Sequence, residues 1–249
     1  MRPQSPESFH TSETLDIREI GAPTPDGNPQ ISSRRLFLQL HAFAGASQPE
    51  ALIEALSASS VESVLYHDLN DPTGVGVLLI ATDPNDLVFE GRKLFHSQPF
   101  SKLRSKPELT MVGRTYSTGR EPDLKDWLLV KPRRNALNPE LRWAIWYPLR
   151  RKPEFYLLTP PEQGKILAEH GMMGRAYAEA GYANDIRLAC FGLDQHDNEF
   201  VIGLVGAELY LLSRLVQDMR KTQQTAKYID SLGPFFVGQV CWQSPMQVD

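Results

Sequence analysis

One order of predicted elements occurs twice along the chain, and it constrains the fold more than any single motif does. The first round begins at Arg34, where RRLFLQLHAF has the composition of a strand. Ser47-Gln48-Pro49-Glu50 has the form of a capping box and predicts a helix carrying Leu52, Ile53, Ala55 and Leu56 on its apolar side. Val61 to Leu69 is predicted as a strand with alternating apolar positions. Asp71-Pro72-Thr73-Gly74 supplies a turn, and Val75 to Thr82 a second strand. Asp83-Pro84 opens another helix, with Leu87, Leu94 and Phe95 inward, and Leu109 to Ser117 closes the round as a strand. The second round begins with the strand Trp143 to Leu149. A capping box at Thr159-Pro160-Pro161-Glu162 starts a helix running to about Tyr177. Strands follow over Asp185 to Leu193 and Glu199 to Gly206, with the polar turn Asp194 to Asn198 between them. Leu209, Leu212, Leu215, Val216 and Met219 recur at helical spacing, and Phe235 to Trp242 forms the last strand after Gly233-Pro234.

Each round is βαββαβ, the split-βαβ or ferredoxin-like unit, so the predicted class is α+β with two tandem ferredoxin-like modules and antiparallel sheets. The expected divisions are a disordered N-terminal tail over 1–33, a first module over 34–117, a Pro- and Arg-rich linker over 118–142, and a second module over 143–249. Such a fold hosts many functions and settles none, so function has to come from a site.

Composition removes several classes. A net charge of -4 argues against a nucleic-acid binder built on phosphate contacts. The two cysteines, Cys190 and Cys241, allow one bridge at most and no Cys-x-x-Cys. No secretory h-region is visible, and no apolar run approaches the ~20 residues of a membrane helix, so the expected location is cytoplasmic. Glycine-rich phosphate loops and the Gly-x-Ser-x-Gly elbow are absent from the sequence.

His170 is the most informative side chain. It sits in Glu169-His170-Gly171-Met172-Met173-Gly174-Arg175 on the predicted helix, on the face of Ile166, Leu167 and Met173. Two roles fit that position: a core histidine bonded to a backbone carbonyl, or a metal ligand with nearby glycines leaving room for a flat macrocycle. The other histidines form no metal-binding spacing. Tyr147 shares a strand face with Trp143, Ile145 and Leu149, as core packing or as an oxidisable residue. Basic residues gather at Lys131, Arg133, Arg134, Arg150, Arg151, Lys152, Arg220 and Lys221. They can hold carboxylates, or serve only as solvated surface.

Taken together, these motifs resemble the chlorite dismutase-like family of haem proteins over about residues 34 to 242, nearest to its coproheme-decarboxylating branch. His170-Gly171-Met172-Met173-Gly174-Arg175 resembles the segment with the proximal iron ligand. Tyr147-Pro148-Leu149 resembles a Tyr-Pro-Met segment whose tyrosine is the proposed radical site. Arg133 in Lys131-Pro132-Arg133, Arg220, and Thr225 in place of a serine match propionate-contacting positions. Gly113-Arg114-Thr115-Tyr116-Ser117 and Gly233-Pro234-Phe235-Phe236-Val237-Gly238 match strand motifs.

The resemblance implies haem b or coproheme as cofactor, and peroxide-dependent oxidative decarboxylation of coproheme III to haem b. It places Tyr147 and Arg151 at the chemistry, Arg133, Arg220, Thr225 and Arg187 around the porphyrin, and His170 on the iron. It also implies a homo-oligomer, commonly a pentamer. Besides Thr225 and a shorter loop after Arg151, the sequence departs from the family pattern in three further respects. Arg151 fills the slot of a catalytic lysine, Leu149 replaces methionine, and Asp185 stands where chlorite-degrading members carry a distal arginine, with Arg187 two residues on. Chlorite dismutase or weak peroxidase activity, and a non-catalytic haem carrier or sensor, are the alternatives.

Overall fold

The computed structural model describes residues 15–247. Its elements, in chain order, are β1 (Glu19–Gly21), β2 (Gln30–Ser32), β3 (Phe37–Ala44), α1 (Pro49–Ser57), β4 (Glu62–Asp68), β5 (Val75–Ala81), α2 (Pro84–His96), β6 (Arg104–Ser105) and β7 (Met111–Arg114). A π-helical turn (Asp126–Val130) then runs into α3 (Lys131–Ala136). The second half holds β8 (Trp143–Arg151), α4 (Pro160–Glu179), β9 (Asn184–Ala189), β10 (Phe200–Gly206), α5 (Leu209–Met219), α6 (Gln223–Tyr228), β11 (Ile229–Leu232) and β12 (Phe236–Gln243).

Both rounds fold as α+β ferredoxin-like units. The first has the strand order β7-β3-β5-β4 and the second β12-β8-β10-β9, all antiparallel. The two sheets join along β12 and β4, where Gly238 faces Asp68, and meet again at Arg114 and Ala189 of β7 and β9. Eight strands therefore close on themselves, which removes the edges that open sheets expose.

The closed sheet has an apolar interior and two covered outer faces. Leu38, Leu40, Val64, Tyr66, Leu78, Ile80, Trp146, Ile186, Leu188 and Phe236 fill the inside. Phe43, Leu65, Val77 and Leu79 meet Leu52 and Leu56 of α1 and Leu87 of α2 outside the first sheet. Ile145, Tyr147, Leu149, Phe200 and Leu204 meet Leu212 and Leu215 of α5 outside the second. Each fully buried aliphatic side chain contributes about 1.5–3 kcal/mol relative to exposure. Trp146 is wholly buried because Gly203, its partner across the ladder, leaves room for it: a Cβ there would lie 2.6 Å from the indole ring. Gly203→Ala is expected to cost about 1–3 kcal/mol through overpacking. A urea melt reads this directly, and an unmoved midpoint would contradict the packing.

Several expectations change. Residues 1–14 of the expected tail lie outside the described residues, but 19–32 form the β1–β2 hairpin. There Gln30 Nε2 donates to the Ala22 carbonyl at 2.6 Å, and its Oε1 accepts from the Leu124 N–H at 3.0 Å. The segment 118–142 is more than a connector: Leu124, Leu128, Leu129 and Ala136 belong to the barrel interior. Ser47 forms no capping box, since α1 begins after Gln48 without a side-chain cap. The second box is built, with Glu162 accepting from the Thr159 N–H at 2.9 Å and its hydroxyl at 2.7 Å. Both cysteines are free thiols.

Candidate functional site

The outer face of the second sheet carries the residues on which the sequence reading turned. Arg187 of β9, Ile202 of β10 and Tyr147 of β8 stand opposite one another and form one cross-strand row. Side chains two apart share a face, so Asp185 and Ala189 flank Arg187, while Ile145, Leu149 and Arg151 flank Tyr147. α4 lies over this face, bringing Met173 and Tyr177 against it.

His170, half-buried on α4, has its Nδ1 3.1 Å from Thr222 Oγ1. Thr222 belongs to the turn between α5 and α6 and is fully buried. Burial lowers the His170 pKa to about 4, and the nearby charges of Arg151 and Arg187 act in the same sense. The imidazole is therefore neutral near pH 7 and keeps a ring lone pair for a ligand.

Tyr147 is buried and stacks on Phe235, centroids 4.7 Å apart. Burial, aided by the Asp185 carboxylate, holds its phenol protonated well above the ordinary tyrosine range, against a weaker opposing effect of Arg220. The Arg151 guanidinium lies 4.5 Å from the Phe200 ring centre and 4.8 Å from that of Phe155. Its Nε is buried without a hydrogen-bond partner among the described residues, which leaves a donor for an anionic group. Arg187 pairs with Asp185 at 2.8 Å and lies over the Trp127 ring at 4.7 Å. Desolvation opposes the Asp185 charge, but Arg187 and Lys131 outweigh it and keep the carboxyl below its usual range.

Among the described residues no group of three or more His, Cys, Asp or Glu side chains is placed to hold a metal ion. A metal at His170 would thus draw one protein ligand and bring its remaining ligands with it. Space beside the histidine is available, since a Cβ added at Gly171 would meet nothing within 4 Å.

The family model described as chlorite dismutase matches residues 99–241, more than half of the chain. The chain belongs to the chlorite dismutase family. It is similar to the coproheme decarboxylase of Staphylococcus carnosus (strain TM300), 31% identical over 115 residues, which cover 45% of this chain and 44% of that protein. The match thus spans less than half the length of that relative. Among solved structures, a heme-binding protein from Thermus thermophilus has a TM-score of 0.65 at 20% identity, covering 83% of this chain and 91% of that one. Chlorite dismutase from Candidatus Nitrospira defluvii in complex with imidazole has a TM-score of 0.62 at 16% identity, covering 86% and 93%. These two share the fold.

Not every residue aligned by the chlorite dismutase motifs reaches this face. Arg133 is buried on α3, where it forks onto the Glu62 carboxylate of β4 and also donates to the Gln247 carbonyl. Glu62 has the inward parity of Val64 and Tyr66, so this pair sits on the interior side of the barrel, across the sheet from Tyr147. The family resemblance implies a propionate contact for Arg133, whereas here its guanidinium is engaged by Glu62 and the Gln247 carbonyl. Arg220 is exposed at the C-terminus of α5, near enough to Tyr147 to act on it electrostatically. Thr225 is half-buried on α6, its hydroxyl 3.3 Å from that of Thr222. Thr222 itself escaped the sequence reading, because a lone threonine 52 residues from His170 carries no pattern.

The depressed His170 pKa has a consequence for stability. The unfolded histidine takes up its proton near pH 6.5 and the folded one near 4, so acid favours the unfolded chain across that interval. Ligand-free protein is expected to lose stability from pH 6.5 down to 4 more steeply than its His170→Gln variant. Parallel urea titrations check this, and identical slopes would contradict it.

Proposed function

We propose that this chain binds an iron porphyrin through His170 Nε2 and decarboxylates coproheme III oxidatively, with peroxide as oxidant, to give haem b. The observation that carries the proposal is the neutral His170 over an apolar sheet face that also holds Tyr147 and the buried, unsatisfied Nε of Arg151. The similarity to a coproheme decarboxylase supports the choice of substrate.

The donor set suits the group. One imidazole would hold a haem-type iron, apolar residues would suit the macrocycle faces, and guanidinium groups would suit its carboxylates. When bound, the iron porphyrin supplies with peroxide the oxidising power that a side chain lacks. For each propionate converted, the carboxylate leaves as carbon dioxide and the remaining carbons become a vinyl group. Two electrons and one proton are released, and together with one further proton from solvent they reduce one hydrogen peroxide to two waters.

The protein's own residues divide the remaining work. Tyr147 keeps its phenolic proton at neutral pH and is the proposed residue that loses and regains a hydrogen atom. Arg151, Arg220 and Thr225 are the proposed propionate partners. Arg187, held by Asp185 and Trp127, stands in the same cross-strand row as Tyr147. Residence in the cytoplasm and assembly as a homo-oligomer, a pentamer by family likeness, belong to the same proposal.

Tyr147→Phe is expected to keep ferric coproheme binding within about 3-fold and to lower decarboxylation by at least about 100-fold. Full turnover in this variant would remove Tyr147 from the chemistry.

A second reading, a haem carrier or sensor, is favoured by Arg151 alone. Arginine holds charge as lysine does but does not give up a proton. Chlorite or peroxidase chemistry gains less support, because Asp185 occupies the arginine position and engages Arg187.

A further inference from the structure

Thr222 has one hydroxyl proton, and the group nearest its oxygen is one that can only accept it. Its Oγ1 lies 2.8 Å from the Met219 carbonyl, a group that only accepts. The Thr225 N–H approaches the same oxygen at 3.4 Å and only donates. The Thr225 hydroxyl, 3.3 Å away, can either donate or accept, but the Met219 carbonyl is the nearer acceptor. With the proton on that carbonyl, a lone pair of Thr222 faces His170 Nδ1 at 3.1 Å, and that contact is a hydrogen bond only if Nδ1 carries the proton. A neutral imidazole protonated at Nδ1 has its lone pair on Nε2.

The turn that carries Thr222 is fastened to α4 on both sides of this contact. Glu169, next to His170, accepts from the Gln223 N–H at 3.2 Å. A Cβ built on Gly174 would touch the end of the Met219 side chain at 3.3 Å. The acceptor is thus a buried side chain on a turn anchored to α4.

We infer that Thr222 is a positioning residue for the iron ligand: it fixes His170 as the Nδ1–H tautomer, aims Nε2 at the metal, and keeps the axial bond that of a neutral imidazole. This rests on the proposed role of His170 as the iron ligand. A hydroxyl already donating to a carbonyl is a neutral acceptor and pulls on the Nδ1 proton less than a carboxylate would. The iron then receives less electron density, and the axial bond stays weak enough to release. That suits a porphyrin that is bound as substrate and leaves as product.

The test begins without porphyrin. In ligand-free wild-type protein, long-range 1H–15N correlation of the His170 ring is expected to show a protonated Nδ1 and a bare Nε2. An Nε2–H tautomer would overturn the inference, whatever His170 later binds. Next, Thr222→Val removes the acceptor and keeps the shape, while Thr222→Ser restores the hydroxyl. In the ferrous coproheme complexes, Thr222→Val is expected to lower the Fe–His stretching frequency and to weaken binding by about 10–100-fold. Thr222→Ser is expected to return both toward wild type. An unchanged frequency in a folded Thr222→Val complex would also overturn the inference. If no Fe–His band appears in wild type, the ligand assignment fails, and the nitrogen correlation still decides the tautomer.

Discussion

Replacing His170 with alanine is expected to weaken ferric coproheme binding by at least about 100-fold and to change the visible spectrum of whatever complex remains. Loss of supporting contacts around a metal ligand already costs about 10–100-fold, and the ligand itself should cost no less. The apolar face of Ile145, Tyr147, Phe200 and Ile202 survives the change, so some weak porphyrin association should persist. Free imidazole is expected to restore part of the spectrum, because the substitution opens space beside Gly171, where a Cβ would meet nothing within 4 Å. Equal affinity and an identical spectrum in the variant would mean that His170 is a core histidine bonded to Thr222 and nothing more.

Arg133→Ala is expected to lower stability by about 3–5 kcal/mol, with little effect on the affinity for coproheme. Arg133 and Glu62 are 6% and 5% exposed, so removing one leaves the other's charge buried. Replacing both by apolar residues of similar size, as in Arg133→Met with Glu62→Leu, should recover much of the loss, because burying an ion pair carries a desolvation cost that an apolar pair avoids. Melting curves of the single and double variants measure this. The motif-based assignment of Arg133 to a propionate predicts the reverse: weaker porphyrin binding with stability intact.

The case of Arg133 illustrates what the sequence can and cannot carry. The order βαββαβ was readable twice, because alternating and helical apolar spacings are local properties set by the geometry of each element. The closure of the two sheets into one barrel was not, because it depends on β12 pairing with both β8 and β4, contacts between residues far apart in the chain. Leu124, Leu128 and Leu129 read as part of a linker, since proline and arginine surround them and their shared burial appears only once the barrel exists to receive them. The short elements α6 and β11 carried no periodicity long enough to detect.

The site divided along the same line. His170 could be placed on the apolar side of its helix from spacing, and Tyr147 on its strand face from parity. Motif likeness, rather than periodicity, is what favours a ligand over a core histidine at His170. The partner of the histidine, Thr222, and the engagement of Arg187 by Asp185 and Trp127 arise from tertiary contacts alone. Arg151 could be seen to replace a lysine, but its place between Phe155 and Phe200 could not.

Mass spectrometry of the porphyrin after adding peroxide to the ferric coproheme complex of the wild-type protein tests the central proposal most directly. The proposal predicts loss of two carboxyl groups as carbon dioxide and the appearance of haem b, in spite of Arg151. A coproheme recovered unchanged would contradict it.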